Sequence, residues 1–103
     1  MNKIYIITTI SKLEQNKLGW SDYGSTRTVG WFTSFDDAEK TVVYNYGDIW
    51  ETCYDYAVIE EVEEGLYPLA KPRWFYKYNI ESGEYERIEE PEWMCNFANI
   101  GIG

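Results

Sequence analysis

The sequence predicts an α+β domain spanning residues 1–103: a single mostly antiparallel five-stranded sheet with one helix packed on a face. Three observations predict it. The stretch Thr26 to Gly47 reads as a strand that runs directly into a capped helix. Four further short segments are rich in β-branched and aromatic residues and are bounded by turn residues. The aromatic content is 18%, with ten Tyr and five Trp, enough to fill one core in a chain this long and to argue against disorder.

The first strand is Lys3 to Ile10, with Ile4, Ile6 and Ile10 on one face and Tyr5 and Ile7 on the other. Apolar residues on both faces suit a central strand. Ser11 to Ser25 is polar and Gly-containing and reads as a long loop holding Trp20 and Tyr23. Thr26 to Thr33 is the second strand, followed by a helix from Ser34 to Tyr46. Ser34 is placed to accept a bond from a free amide of the first turn, and Asp37 three residues on is placed to answer it. Asp36, Asp37 and Glu39 set negative charge at the positive end of the helix dipole. Phe35, Ala38, Val42, Tyr46 and Ile49 recur on one helical face, and Gly47 fits the left-handed position that ends a helix.

Tyr54 to Glu64 is the third strand and Arg73 to Ile80 the fourth, with Trp74, Tyr76, Tyr78 and Ile80 on one face and Phe75 and Lys77 on the other. Ser82-Gly83 predicts a two-residue hairpin turn that sets Ile80 opposite Tyr85 and Tyr78 opposite Arg87. Glu84 to Glu89 is the fifth strand, charged as an exposed edge must be. Trp93, Met94, Phe97 and Ile100 make the C-terminal tail apolar enough to dock on the sheet. A right-handed crossover from the second strand through the helix makes strands two and three parallel and leaves room for the first between them. The expected sheet order is therefore 2-1-3-4-5.

The net charge is -9 and is unevenly spread. Residues 1–33 hold four bases and two acids, whereas residues 34–103 hold five bases and sixteen acids. Such a surface repels nucleic acid and anionic membranes and attracts basic partners. The same acidity also keeps an aromatic-rich chain soluble. Met1-Asn2-Lys3 leads straight into a strand, so no signal peptide is read, and no run approaches the ~20 apolar residues of a membrane span. Cys53 and Cys95 have no metal spacing and no CxxC. Their count permits a disulfide, and a cytoplasmic location with free thiols is the expectation.

Enzyme chemistry has little to stand on. There is no histidine, no phosphate-binding glycine loop and no calcium loop, so no catalytic, cofactor or metal residue is predicted. Cys53 has no sequence neighbour to activate it. Two constellations remain as partner-binding candidates. One is acidic: Glu60, Glu61, Glu63 and Glu64 with Glu84, Glu86, Glu89 and Glu90, joined by Glu81 and Glu92. Carboxylates spread over adjacent strands can imitate a phosphate array and occupy a basic nucleic-acid channel; the plainer reading is a solvated edge. The other is aromatic: Trp74, Tyr76, Tyr78 and Tyr85. Interfaces favour Tyr and Trp as anchors, and so does a core.

The segments Arg27-Thr28-Val29-Gly30-Trp31-Phe32, Ser34-Phe35-Asp36-Asp37-Ala38-Glu39 and Tyr54 to Glu61 resemble small uncharacterised acidic proteins of bacteriophages and mobile elements of gut Firmicutes. What that resemblance implies is context: an accessory protein in a bacterial host cell, of the kind that includes anti-CRISPR and other anti-defence inhibitors. The expected function is a non-enzymatic module, monomer or homodimer, that occupies a basic surface of a nucleic-acid-binding host protein. The alternative is a small-ligand binder or sponge, with Trp20, Tyr23, Arg27 and Arg73 stacking on and pairing with a nucleotide.

Overall fold

The computed structural model describes residues 3–12, 23–65 and 72–91. Five strands and one helix follow in chain order: β1 (Lys3–Lys12), β2 (Tyr23–Phe32), α1 (Phe35–Val43), β3 (Tyr56–Glu63), β4 (Arg73–Asn79) and β5 (Glu84–Ile88). They form one sheet in the order β2-β1-β3-β4-β5, with every neighbouring pair antiparallel. The α+β class and the strand order are those the sequence predicts. β2 and β3 therefore run parallel, with β1 between them, and α1 makes the crossover. β2 begins at Tyr23, so part of the expected loop is strand.

Alternation sorts the sheet residues onto two faces. Ile7, Ala57, Ile59, Tyr76 and Tyr85 face the helix and pack against Ala38, Val42 and Ile49. Ile10, Val58 and Phe75 form a second buried cluster on the other face, flanked by Tyr56 and Ile88. Each fully buried aliphatic side chain contributes roughly 1.5–3 kcal/mol of transfer free energy. β1 and β3 are thus covered on both sides, as the two-sided apolar pattern of Lys3 to Ile10 requires. Trp93, Met94, Phe97 and Ile100 lie outside the described residues, as do Trp20 and Cys95.

The helix starts where the sequence places it. The Asp37 amide donates to Ser34 Oγ at 3.4 Å, and Ser34 has extended backbone angles. Its end differs. α1 stops at Val43, and Asn45, not Gly47, takes the left-handed position with φ 52. The Asn45 amide donates to the Val42 carbonyl and the Tyr46 amide to the Thr41 carbonyl, each at 3.0 Å. That pair of bonds is a Schellman closure, and asparagine is the usual substitute for glycine in it. Tyr46 is consequently turned off the buried face and is 56% exposed, a correction to the five-residue stripe; Ile49 still reaches the core.

The link from α1 to β3 is held by Asn45 and Trp50. Asn45 Oδ1 accepts the Trp50 amide at 2.9 Å. The Trp50 indole N–H donates to Asp55 at 2.9 Å, and its ring stacks on Tyr78 with centroids 4.1 Å apart. Asn45, Asp48, Glu51 and Thr52 all have positive φ. For β-branched Thr52 this is a strained conformation.

The β4–β5 hairpin corrects a second expectation. Tyr78 pairs with Tyr85 and Asn79 with Glu84, a register two residues from the one predicted. The turn is Ile80 to Gly83, four residues rather than two, and its cause is Asn79. Asn79 Oδ1 accepts the Glu81 amide at 2.9 Å, the Asn79 carbonyl accepts the Gly83 amide at 2.9 Å, and Gly83 supplies a φ of 72. A shift of two leaves every strand residue on its predicted face, but it moves Ile80 out of the strand into solvent.

The cap and the buried face can be ranked by denaturant melts. Ser34→Ala removes one capping bond and costs about 1 kcal/mol. Phe35→Ala costs about 3 kcal/mol, because it also leaves a cavity. Val42→Ala, at a wholly buried position, also exceeds the cap variant. Equal losses for Ser34→Ala and Phe35→Ala would place the helix wrongly on the sheet.

Candidate functional site

The topology turns the uneven charge of the sequence into an uneven surface. β2 and β1 stand side by side at one edge and carry Lys3, Lys12 and Arg27 with no acidic residue. β3, β4 and β5 fill the rest of the sheet, and nine Glu residues lie in or just beyond them among the described residues, Glu60, Glu61, Glu63, Glu64, Glu81, Glu84, Glu86, Glu89 and Glu90, with Glu39 on the helix above.

The aromatic constellation is core. Tyr76 and Tyr85 are wholly buried under α1, so neither presents a surface to a partner. Tyr76 donates its hydroxyl to Glu39 of the helix at 2.6 Å, and Tyr85 donates to the Tyr54 carbonyl. Trp74 lies 4.5 Å from Phe35 between ring centroids, and Tyr78 is covered by Trp50, so both are half-buried in the same cluster. A one-sided helix needs a large apolar bed, and these four residues supply it.

The acidic constellation divides. Glu60 is wholly buried on the face away from the helix, in register with Arg73 of β4, and has its own interactions in the fold. It is not an interface group. Glu61 accepts from the Tyr5 hydroxyl at 3.1 Å and pairs with Lys3 at 3.6 Å. Glu63 reaches the same lysine at 4.0 Å, and Glu64 is exposed beyond the end of β3. Glu90 is exposed and 4.0 Å from Arg73. Glu89 is exposed as well. Glu84 and Glu86 alternate onto one face of β5, about 7 Å apart along the strand. Glu86 is exposed and accepts from Asn79 at 3.2 Å; Glu84 is half-exposed. Glu81 stands in the turn beside Ile80, which is 74% exposed. Exposed Glu81, Glu86, Glu89 and Glu90, with half-exposed Glu84, line the β4–β5 hairpin and its C-terminal continuation, while Asp36, Asp37, Asp48, Glu51, Asp55, Glu63 and Glu64 are exposed elsewhere.

The two arginines of the small-ligand alternative do not converge. Arg27 is in register with Thr9, on the helix side of the sheet, and pairs with Glu51 in the link. Arg73 is in register with Glu60, on the opposite side. β1 and β3 lie between their strands, a separation of roughly 14 Å at the usual strand spacing, across the sheet. A pocket built by both is ruled out.

One cleft was not visible as a motif. It lies between β2 and the end of α1, encloses about 240 Å³, and has Ile7, Val29, Phe32 and Ile49 as an apolar floor with Arg27 and Tyr46 at its rim. Gly30 opens it: a Cβ at that position would meet nothing within 4 Å. The available signals were a glycine inside a strand and an asparagine able to end the helix early. Cys53 is exposed, and among the described residues no group of three His, Cys, Asp or Glu is arranged to hold a metal. No helix among them is long and apolar enough to cross a membrane.

The titratable groups at the helix–sheet junction link stability to pH. Burial, then the Glu39 carboxylate, pushes the Tyr76 hydroxyl well above its ordinary 10. Burial likewise raises Tyr85, with Asp55 adding to it. Burial alone would raise Glu39, but the bonds from Tyr76 and Arg87 outweigh it and leave the carboxyl below 4.5. Raised tyrosines stay protonated in the folded chain when the unfolded chain has lost those protons. Their contribution is therefore complete below pH 10 and is lost as pH rises through the folded values. That of Glu39 is present above its unfolded value and is lost as pH falls through the folded one. Melting temperatures between about pH 8 and about pH 12 should fall steeply beyond 10, and Tyr76→Phe should flatten that fall. An unchanged slope in Tyr76→Phe would count against the assignment.

Comparison with family models, curated proteins and solved structures finds no match.

Proposed function

We propose that the chain is a non-enzymatic protein-binding module whose β4–β5 hairpin occupies a basic, nucleic-acid-binding surface of another protein. The observation that carries this reading is the exposed group Glu81, Glu86, Glu89 and Glu90, with half-exposed Glu84, strung along the β4–β5 hairpin from its turn, where Ile80 is also exposed, to its C-terminal continuation. A row of carboxylates on an edge strand presents anionic charge at the intervals a lysine- or arginine-lined channel is built to receive. Ile80 supplies the apolar anchor such interfaces place among polar groups. The net charge of -9 steers a basic partner toward the chain from a distance.

The setting in this proposal is the one the resemblance implies: an anti-defence inhibitor of anti-CRISPR type, acting in the cytoplasm of a bacterial host. The decisive experiment is capture of the partner from that host, followed by titration with salt and nucleic acid. Affinity should fall by more than tenfold between about 50 and about 200 mM salt, and nucleic acid should compete. Glu84→Lys with Glu86→Lys should abolish capture while the melting temperature stays within a few degrees of the parent. Capture that ignores salt, or that survives the double charge reversal, would refute the proposal.

A further inference from the structure

The side of the sheet turned away from the helix is buried, yet no element among the described residues lies on it. Ile10, Val58 and Glu60 are 0% exposed there, and Phe75 is 3% exposed. Side chains stand roughly upright on a sheet, so none can be wholly buried on an open face; a second layer must cover them. The burial forms a band over β1, β3 and the start of β4. It stops short of both edges. On this same side, Thr28 and Trp31 of β2 are exposed, and so are Lys77 and Glu86 of the β4–β5 hairpin. Three neighbouring strands make the band about 10 Å wide, and Ile6 to Ile10 make it about 13 Å long, the footprint of one segment of chain.

The outgoing chain passes one end of this band. Phe75 pairs with Ile88, and the same register carried two residues further sets Arg73 opposite Glu90. Their side chains are 4.0 Å apart, and the Arg73 guanidinium lies over the Phe75 ring, 5.9 Å from its centroid. Beside them, in register with Arg73, is Glu60. Residues 92–103 follow, and they include Trp93, Met94, Phe97 and Ile100. Twelve residues reach up to about 40 Å when extended, several times the width of the band. The two internal segments outside the described residues start and finish at one end of the sheet. Residues 13–22 join Lys12 to Tyr23, which pair with each other. Residues 66–71 join Gly65 to Pro72, whose carbonyl accepts the Glu61 amide at 3.0 Å. A loop that must go out and return has half its length for reach, so neither runs from Ile6 to Ile10 as a segment tied at one end can.

We propose that the band is the docking site of the chain's own C-terminal segment, residues 92–103, which crosses from the Arg73 end of β4 over β3 to β1 as a strap. Its apolar side chains supply the layer that Val58, Ile10 and Phe75 require, and the sheet becomes the middle of three layers. A second copy of the chain is not needed as the cover, because these residues are buried within one chain. Nor is the band large enough for one: its footprint is on the order of 100 Å², against about 800 Å² on each partner of a stable dimer. Because the segment continues directly from β5, its docking pins the acidic hairpin to the rest of the sheet. That holds whether or not the hairpin takes a basic partner.

The test is nuclear Overhauser spectroscopy on the full chain with labelled methyl and aromatic groups. Cross-peaks should join the side chains of Met94, Phe97 or Ile100 to the methyls of Ile10 and Val58, and none should join them to Ile7 or Ile59 beneath the helix. A second arm uses Phe97→Asp in the full chain. A charge cannot stay in the apolar band, so relaxation of the Ile10 and Val58 methyls by a soluble nitroxide should rise at least about threefold, while that of Ile59 stays as in the parent. Should this variant fail to fold, the cross-peaks of the parent decide alone. The proposal is overturned if Ile10 and Val58 show cross-peaks only to residues 13–22 or 66–71, or if those of the C-terminal segment go to the helix side. It is overturned equally if they arise only between differently labelled chains in a mixed sample, the mark of a second copy. A folded Phe97→Asp chain with its Val58 methyl as shielded as the parent's would overturn it too.

Discussion

The seat of α1 on the sheet is the constraint from which the rest follows. Ala38 and Val42 press onto Ile7, Ala57 and Ile59, and this is non-directional hydrophobic burial. Direction comes from Glu39. Its carboxylate takes the Tyr76 hydroxyl from β4 and the Arg87 guanidinium from β5, and Arg87 also lies over the Phe35 ring. The helix is thereby fixed in rotation and along its axis by two strands it does not adjoin in sequence. A buried hydroxyl on an ionised acceptor is worth more than a neutral pair, and losing either partner strands the other. Tyr76 can be both large and buried only because that acceptor is present.

The same seat decides what is left exposed. With the helix over the sheet, Tyr76 and Tyr85 of the β4–β5 hairpin close into core, while its other face, its turn and Arg87 reach solvent. Tyr side chains that would serve as interface anchors are consumed as the helix bed, while the carboxylates next to them in sequence alternate outward. Among the described residues, β2 is held by β1 and by the helix. Sheet order therefore separates two chemistries that the sequence interleaves: an acid-free edge at β2 and a carboxylate-rich edge at β5.

Much of this was legible because it depends on local rules. The Ser34 cap, the two-sided strand Lys3 to Ile10 and the crossover that threads β1 between β2 and β3 follow from capping, alternation and handedness. The misses also share a cause. Asn45 ends the helix and Asn79 reshapes the hairpin, each through a side chain or a φ that competes with the commoner glycine signal. Pattern reading took Gly47 and Ser82-Gly83 as the punctuation and passed over the asparagine that stood before each. Burial of Glu60 was illegible for a different reason. In the run Glu60-Glu61-Val62-Glu63-Glu64 nothing local tells the wholly buried carboxylate of Glu60 from the exposed ones; its burial is set by the strand it stands in, between β1 and β4.

An edge strand is safe only if something stops it from pairing, and a chain has few ways to arrange that. β5 uses charge: any strand laid beside it must face Glu84 and Glu86. β2 carries no acid: Gly30 lies on the helix side near the link that holds Asp48 and Glu51, and Thr26 and Thr28 face the other side of the sheet. Its one base, Arg27, is needed there to balance Glu51. The sheet thus has two distinct edges: β5 carries Glu84, Glu86 and Arg87, and β2 carries Arg27 alone, paired with Glu51, beside the cleft.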